Sequence, residues 1–252
     1  MALAGLLSQG VDTAQTVLPK GIVDGAGTNH TIEDIVSGRV SYSRKCGWID
    51  WGHAGGEGPT ELIESVLSQT PMQLSPKDEG AVKEFAAEKK ISLNRYVPIV
   101  YFQQMKKTSV GVTIQAGIRS VYLVRKDLHR KTREGVAWRI FKEVSEQFEK
   151  MQGDVPYAIL PSTAASSFGV GDLTGDKISF YSALRGYSKE KFEGICRPYT
   201  ADKSVRQLES QREYNKGQAR WRNLPAILSV PKIPRGVVLT VVQGQQFFGS
   251  YR

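Results

Sequence analysis

A thiol, a carboxylate and an imidazole fall close together near the start of the chain, at Cys46, Asp50 and His53. Cys is the strongest side-chain nucleophile, His titrates near neutrality, and Asp can orient an imidazole ring. The chain has only three His and two Cys, so the grouping is informative. It predicts a cysteine hydrolase in which Cys46 attacks a carbonyl carbon, His53 moves the proton and Asp50 orients the ring.

The spacing of these residues leaves other arrangements open. On a helix, positions 46 and 53 lie about 10 Å apart, and on a strand they face opposite sides, so direct contact requires a bend at a glycine. His53 could instead act with Cys196 or with a hydroxyl such as Ser166 or Ser167. Asp172 is a second candidate for orienting the ring, although with Thr174 it also predicts the cap of the helix that follows.

Metal binding by Cys46, Asp50 and His53 is a weaker alternative. A structural zinc usually takes four protein ligands, and the sequence has no second Cys/His pair at suitable spacing. We therefore expect neither a metal nor another cofactor. Because two cysteines make no disulfide framework, Cys46 and Cys196 are expected to be separate thiols.

A plain structural interpretation of the same segment competes with the catalytic one. In it, Trp48, Ile49 and Trp51 are core residues, Cys46 is a small buried hydrophobe, and His53 bonds a backbone carbonyl.

Composition bounds the class of protein and its partners. The chain has 252 residues, of which 40% are hydrophobic, and no segment approaches the length of about 18 apolar residues that a membrane span needs. The net charge of +9 favours an anionic polymer, either peptidoglycan or nucleic acid. Lys and Arg outnumber acids over 201–252, where aromatic residues are interleaved, so a nucleic-acid-binding or nuclease module is an alternative function.

The beginning of the chain lacks the basic segment of a signal peptide. We therefore expect synthesis in a bacterial cytoplasm without a cleavable signal. This suits an effector that a secretion machine carries to the periplasm of a target cell, with a delivery or immunity protein as partner.

Hydrophobic patterning predicts an arm over 1–40 and a single α+β domain over 41–252. Runs of β-branched and aromatic residues predict an antiparallel meander, and apolar residues at helical spacing predict helices around it. The predicted strands are 96–105, 110–115, 118–125, 237–242 and 245–250, the last two pairing across Gly244. The predicted helices begin near residues 31, 60, 76, 132, 172, 189 and 202.

Two families share features with the chain. The motif Cys46-Gly47-Trp48-Ile49-Asp50-Trp51-Gly52-His53, with segments 166–173 and 178–181, resembles an uncharacterised bacterial family called domain of unknown function 4056, which brings no established activity. The Cys, the His, the sheet and the surrounding helices are similar to the NlpC/P60 papain-like cysteine hydrolases. That resemblance implies a papain-like fold and an amidase or endopeptidase of peptidoglycan, but no Asp-Cys-Ser-Gly segment precedes a long helix here.

The residues and the resemblances together favour a cysteine hydrolase acting on cell-wall peptidoglycan. The alternatives are the nucleic-acid module and a non-enzymatic interaction protein in which the Trp-rich motif is a packing element.

Overall fold

The computed structural model describes residues 32–54, 58–109, 112–152, 171–210 and 231–251. These residues form two antiparallel sheets and eight α-helices, which confirms the α+β fold class. Strands β1 (Val40–Ser43) and β2 (Gly47–Asp50) form a hairpin. The larger sheet has the order β3-β4-β5, with β3 at Tyr96–Ser109, β4 at Val112–Arg125 and β5 at Val238–Tyr251.

The helices follow the predicted order along the chain. The helix expected near residue 31 is confirmed, and six more helices begin close to the predicted positions, whereas the short helix Trp51–Ala54 was not predicted. The bounds are α1 Ile32–Val36, α2 Trp51–Ala54, α3 Thr60–Ser68, α4 Pro76–Glu88, α5 Arg130–Gln152, α6 Asp172–Arg185, α7 Lys189–Cys196 and α8 Ala201–Ser210. No described helix combines the length and apolar character that crossing a membrane would take.

The large sheet has fewer and longer strands than predicted. The break expected at Ala116 and Gly117 is absent, because Gly117 sits inside β4, where a Cβ would collide with the Gln103 carbonyl and the Phe247 ring. The absence of a side chain at Gly117 leaves room for the two neighbouring strands, and the glycine makes no turn. Gly244 also lies inside one continuous strand, at a φ of 60°, and donates its N–H to the Ser120 hydroxyl at 2.9 Å.

Helices cover both faces of this sheet. The apolar stripe predicted for α5 is confirmed, since all its members are buried in the main core: Val136, Ile140, Phe141, Val144 and Phe148. On the other face Val82 of α4 packs with Val100, Val121 and Leu123. The sheet therefore forms a central layer, and the helices on the α5 side carry the site.

Some predictions fall on parts of the chain that the structure does not describe. Residues 1–31 of the expected arm, the loop with Ser166 and Ser167, and 211–230 of the basic C-terminal region lie outside the described residues. The helix expected to begin near residue 202 is described only to Ser210.

Candidate functional site

His53 lies on the short helix α2, and Asp50 fixes the backbone that carries it. The Oδ1 atom of Asp50 accepts the backbone N–H groups of Gly52 at 2.7 Å and His53 at 3.4 Å. Its Oδ2 atom lies 3.5 Å from the Arg39 guanidinium. The Asp50 carboxylate thus caps the turn from β2 into α2 and does not orient the imidazole as predicted.

The imidazole ring of His53 lies between two carboxylates of α6. Its Nδ1 atom is 3.4 Å from Asp176 Oδ1, and its Nε2 atom is 4.0 Å from Asp172 Oδ1. Residues four apart share one face of a helix, so α6 presents both carboxylates to the ring. Gly175 lies between them, and this glycine lets α6 pack against α2.

Glu149, near the end of α5, completes a compact donor set. The possible ligand atoms of His53, Glu149 and Asp176 lie within 4.8 Å of one another, and so do those of Asp50, His53 and Asp172. The second set is the poorer one for a cation, because both Asp50 oxygens already meet other groups. Glu149 and Asp176 are both buried.

The separation of His53 and Asp176 suits ligands of one ion. The hydrogen bond between His53 and Asp176 is longer, at 3.4 Å, than the usual length of about 2.7–2.9 Å of a charge-assisted hydrogen bond. Two ligands of a tetrahedral ion with bonds of about 2.1 Å lie about 3.4 Å apart. Asp172 lies near the other ring nitrogen, Nε2. In metal sites, a carboxylate at this position orients the histidine that binds the metal.

The charges around His53 control its protonation. Burial lowers the pKa of the imidazole, but the hydrogen bond to Asp176 and the charges of Asp172, Asp176 and Glu149 outweigh it and raise the pKa to about 10. Without a metal ion, the ring is therefore an imidazolium at neutral pH. A metal ion would replace its proton.

The cluster lines a cavity of about 390 Å³. The Tyr101 hydroxyl also lies there, and burial raises its pKa, so the phenol stays a hydrogen-bond donor at neutral pH. Gln103 extends its side-chain amide to the Tyr101 oxygen at 3.5 Å and donates to Ser145 Oγ at 2.8 Å. The cavity thus combines carboxylates, an imidazole and a phenol with apolar walls.

The expectation of two separate thiols is wrong. Cys46 and Cys196 form a disulfide, and both are fully buried. The bond joins the residue before β2 to the last residue of α7, where Ser43 Oγ also donates to the Cys196 carbonyl. A disulfide sulfur is not a thiolate, so neither cysteine is a nucleophile in this structure.

Other predicted site residues have mixed outcomes. Trp48 and Ile49 are core residues as predicted, whereas Trp51 is half-buried and donates its ring N–H to Ser41. Asp172 is the first residue of α6, the N-cap position is taken by Gly171, and the Asp172 carboxylate lies 4.0 Å from the His53 ring. Ser167 lies outside the described residues.

Sequence analysis missed Glu149 and Asp176. The four-residue spacing of Asp172 and Asp176 on a predicted helix was a usable signal for Asp176. Glu149 had no signal in the sequence. It is one acid among many polar residues of α5, and its position does not show that it faces the site.

Comparisons with known proteins give no relative. No protein-family model matches the chain, and neither a curated protein nor a solved structure matches it. The resemblances to domain of unknown function 4056 and to NlpC/P60 hydrolases, with the papain-like fold that the second implies, stay predictions.

Proposed function

We propose that the chain is a metal-dependent hydrolase of amide bonds, with His53, Glu149 and Asp176 as ligands of one Zn²⁺ or Mn²⁺ ion. The observation that carries this proposal is the convergence of these ligand atoms, within 4.8 Å of one another, in the wall of a cavity. An imidazole and carboxylates suit both ions. When bound, such an ion supplies Lewis acidity toward a carbonyl oxygen and lowers the pKa of water.

The remaining residues of the site have defined tasks under this proposal. The Asp172 carboxylate, 4.0 Å from Nε2 of His53, would attract the proton of that ring nitrogen and so favour Nδ1 as the nitrogen that holds an ion. Tyr101 donates its hydroxyl hydrogen to the oxygen on which negative charge develops. In the overall reaction, the oxygen of water bonds to the carbonyl carbon, the C–N bond breaks, and a proton passes to the leaving nitrogen.

Peptidoglycan remains the proposed polymer. The net charge of +9 favours approach to an anionic cell wall. The disulfide supports action in an oxidising compartment such as a periplasm, because buried disulfides persist there. The nucleic-acid alternative depends on the basic region over 201–252, whose central part is not described, and it stays a prediction.

The test is a hydrolysis assay on purified peptidoglycan with the metal-free chain and with Zn²⁺ or Mn²⁺ restored. We expect amine release only with metal, and its loss in His53→Ala, Glu149→Gln and Asp176→Asn. Tyr101→Phe should lower kcat while metal affinity is unchanged. Asp172→Asn should weaken metal binding about 10–100-fold.

A control separates this proposal from a cysteine hydrolase. The double variant Cys46→Ala with Cys196→Ala should keep its activity at a temperature where circular dichroism shows it folded. Loss of activity in that folded variant, or full activity in His53→Ala, would contradict the proposal.

A further inference from the structure

We propose that the substrate is an extended peptide main chain that pairs with the outer edge of β3 and so lies across the His53 site. The inference rests on the proposed function for the cleavage step, whereas the binding mode has its own evidence.

Strand β3 is an edge strand. Among the described strands, in the order β3-β4-β5, it pairs with β4 on one side only. On the other side, the Pro98 carbonyl accepts the backbone N–H of Met72 at 3.2 Å, so the backbone of residue 98 faces outward. A proline at this position is consistent with an edge strand, because proline has no N–H to donate to a neighbouring strand.

Backbone direction alternates along a strand, so the N–H and C=O groups of Val100, Phe102 and Gln104 face the same outer side as Pro98. Among the described residues, no backbone group pairs with these three positions on that side. Phe102 is also 41% exposed, which is unusual for a large apolar residue. The edge therefore offers a row of donors and acceptors to an added strand.

The cavity runs along this edge. Its lining includes the consecutive residues 100–104, although neighbouring side chains of a strand point to opposite faces. Gln103 reaches Ser145 of α5 on one face, whereas Val100 packs with Val82 of α4 on the other. A cavity that contacts both sets lies beside the strand, not over either face.

The same cavity is lined by His53, Glu149 and Asp176, so a strand added to β3 passes the proposed metal ligands. Its other walls are largely apolar and include Leu62, Met72 and Phe148. The buried carboxylates disfavour acidic side chains on the peptide. The chemistry that fits is an extended peptide main chain with apolar or basic side chains. A protein segment meets this description along its whole length, whereas a peptidoglycan stem peptide, with its γ-linked residue and carboxylates, meets it only in part.

Backbone hydrogen exchange by NMR tests the binding mode without catalysis. The full-length chain, freed of metal with a chelator, is mixed with the blocked L-peptide AFALAK and, separately, with a soluble peptidoglycan stem peptide. We expect slowed exchange at the Phe102 and Gln104 amides. The Gln103 amide already pairs with β4 and should change little. Protection with AFALAK alone assigns a protein substrate, and protection with the stem peptide assigns the cell wall.

A pair of variants tests the edge itself. Phe102→Pro removes an outward N–H and should weaken AFALAK binding at least tenfold, whereas Phe102→Ala keeps this N–H and should weaken it less. The wild-type exchange data decide the question if Phe102→Pro does not fold. Unchanged exchange at both amides with both probes overturns the inference.

Zinc titration of the same wild-type sample separates the two proposals. Zinc binding without edge protection overturns the peptide inference alone. Edge protection without zinc binding supports the peptide-binding mode and contradicts the proposed metal-dependent function.

Discussion

Gly175 lies so close to His53 that a Cβ at position 175 would be 2.7 Å from the His53 Cβ, and it would also collide with the Asp50 carbonyl. Helix α6 can therefore bring Asp172 and Asp176 to the imidazole only with glycine at this position. The packing of two backbones, and not the motif around His53 alone, places the charges of the site.

Gly175→Ala should open the contact between α6 and α2. We expect it to destabilise the fold by about 1–3 kcal/mol, because overpacking a tight contact costs this much, and to weaken zinc binding. Chemical denaturation and zinc titration measure the two effects. Gly80→Ala is the matched control, because α4 leaves open space around Gly80; it should stabilise the fold by about 0.5–1 kcal/mol. Equal effects from the two variants would refute this account of Gly175.

Asp50 should act through the backbone of His53. Asp50→Ala removes the acceptor of the Gly52 N–H and should cost about 1 kcal/mol of stability. Asp50→Asn keeps a side-chain oxygen and should cost less. Thermal melts and zinc affinities of both variants check this role. If Asp50→Asn loses zinc as completely as His53→Ala, Asp50 is a metal ligand and not a cap.

The sequence predicted the fold class and most helices, because apolar spacing is a local property that the folded core preserves. It also located His53 and Asp172. It misassigned Cys46 because the disulfide joins residues separated by 150 positions, and no local pattern shows that pairing. Gly117 and Gly244 were misinterpreted for a related reason. A glycine that leaves room for a neighbouring strand, or that takes a positive φ inside a strand, looks in sequence like a turn.

Reduction of the disulfide should destabilise the chain strongly. In the chain-entropy model, a disulfide that closes a loop of 150 residues in the unfolded chain stabilises the folded state by about 5 kcal/mol. We expect no iodoacetamide labelling of Cys46 or Cys196 in the native, unreduced protein, and labelling of both after reduction and unfolding. Mass spectrometry reads the labels. Rapid labelling of native Cys46 would restore the free-thiol interpretation.

Asp78 should make stability depend on acid pH. The bidentate hydrogen bonds from Arg119 hold the pKa of this carboxyl below its usual value of 3.8 against the effect of burial. A lowered folded-state pKa stabilises the protein above the unfolded pKa and loses that contribution as pH falls through the folded value.

The stability difference between wild type and Arg119→Gln should therefore be full above about pH 5 and shrink below about pH 4. Urea denaturation across this range measures it. Arg125→Gln is the control, because its partner Asp127 is exposed and solvent screens the pair. A difference for Arg119→Gln that does not change with pH would argue against the Asp78 ion pair as its cause.

Zinc binding to the metal-free, full-length chain, measured by calorimetry together with elemental analysis, tests the central claim most directly. Wild type should bind one Zn²⁺ per chain, and His53→Ala should lose more than about 100-fold in affinity, since removing only the hydrogen-bond partner of a ligand costs about 10–100-fold. His129→Ala, which removes an exposed histidine, should bind like wild type. No zinc binding by wild type, or equal binding by all three proteins, would contradict a metal site at His53.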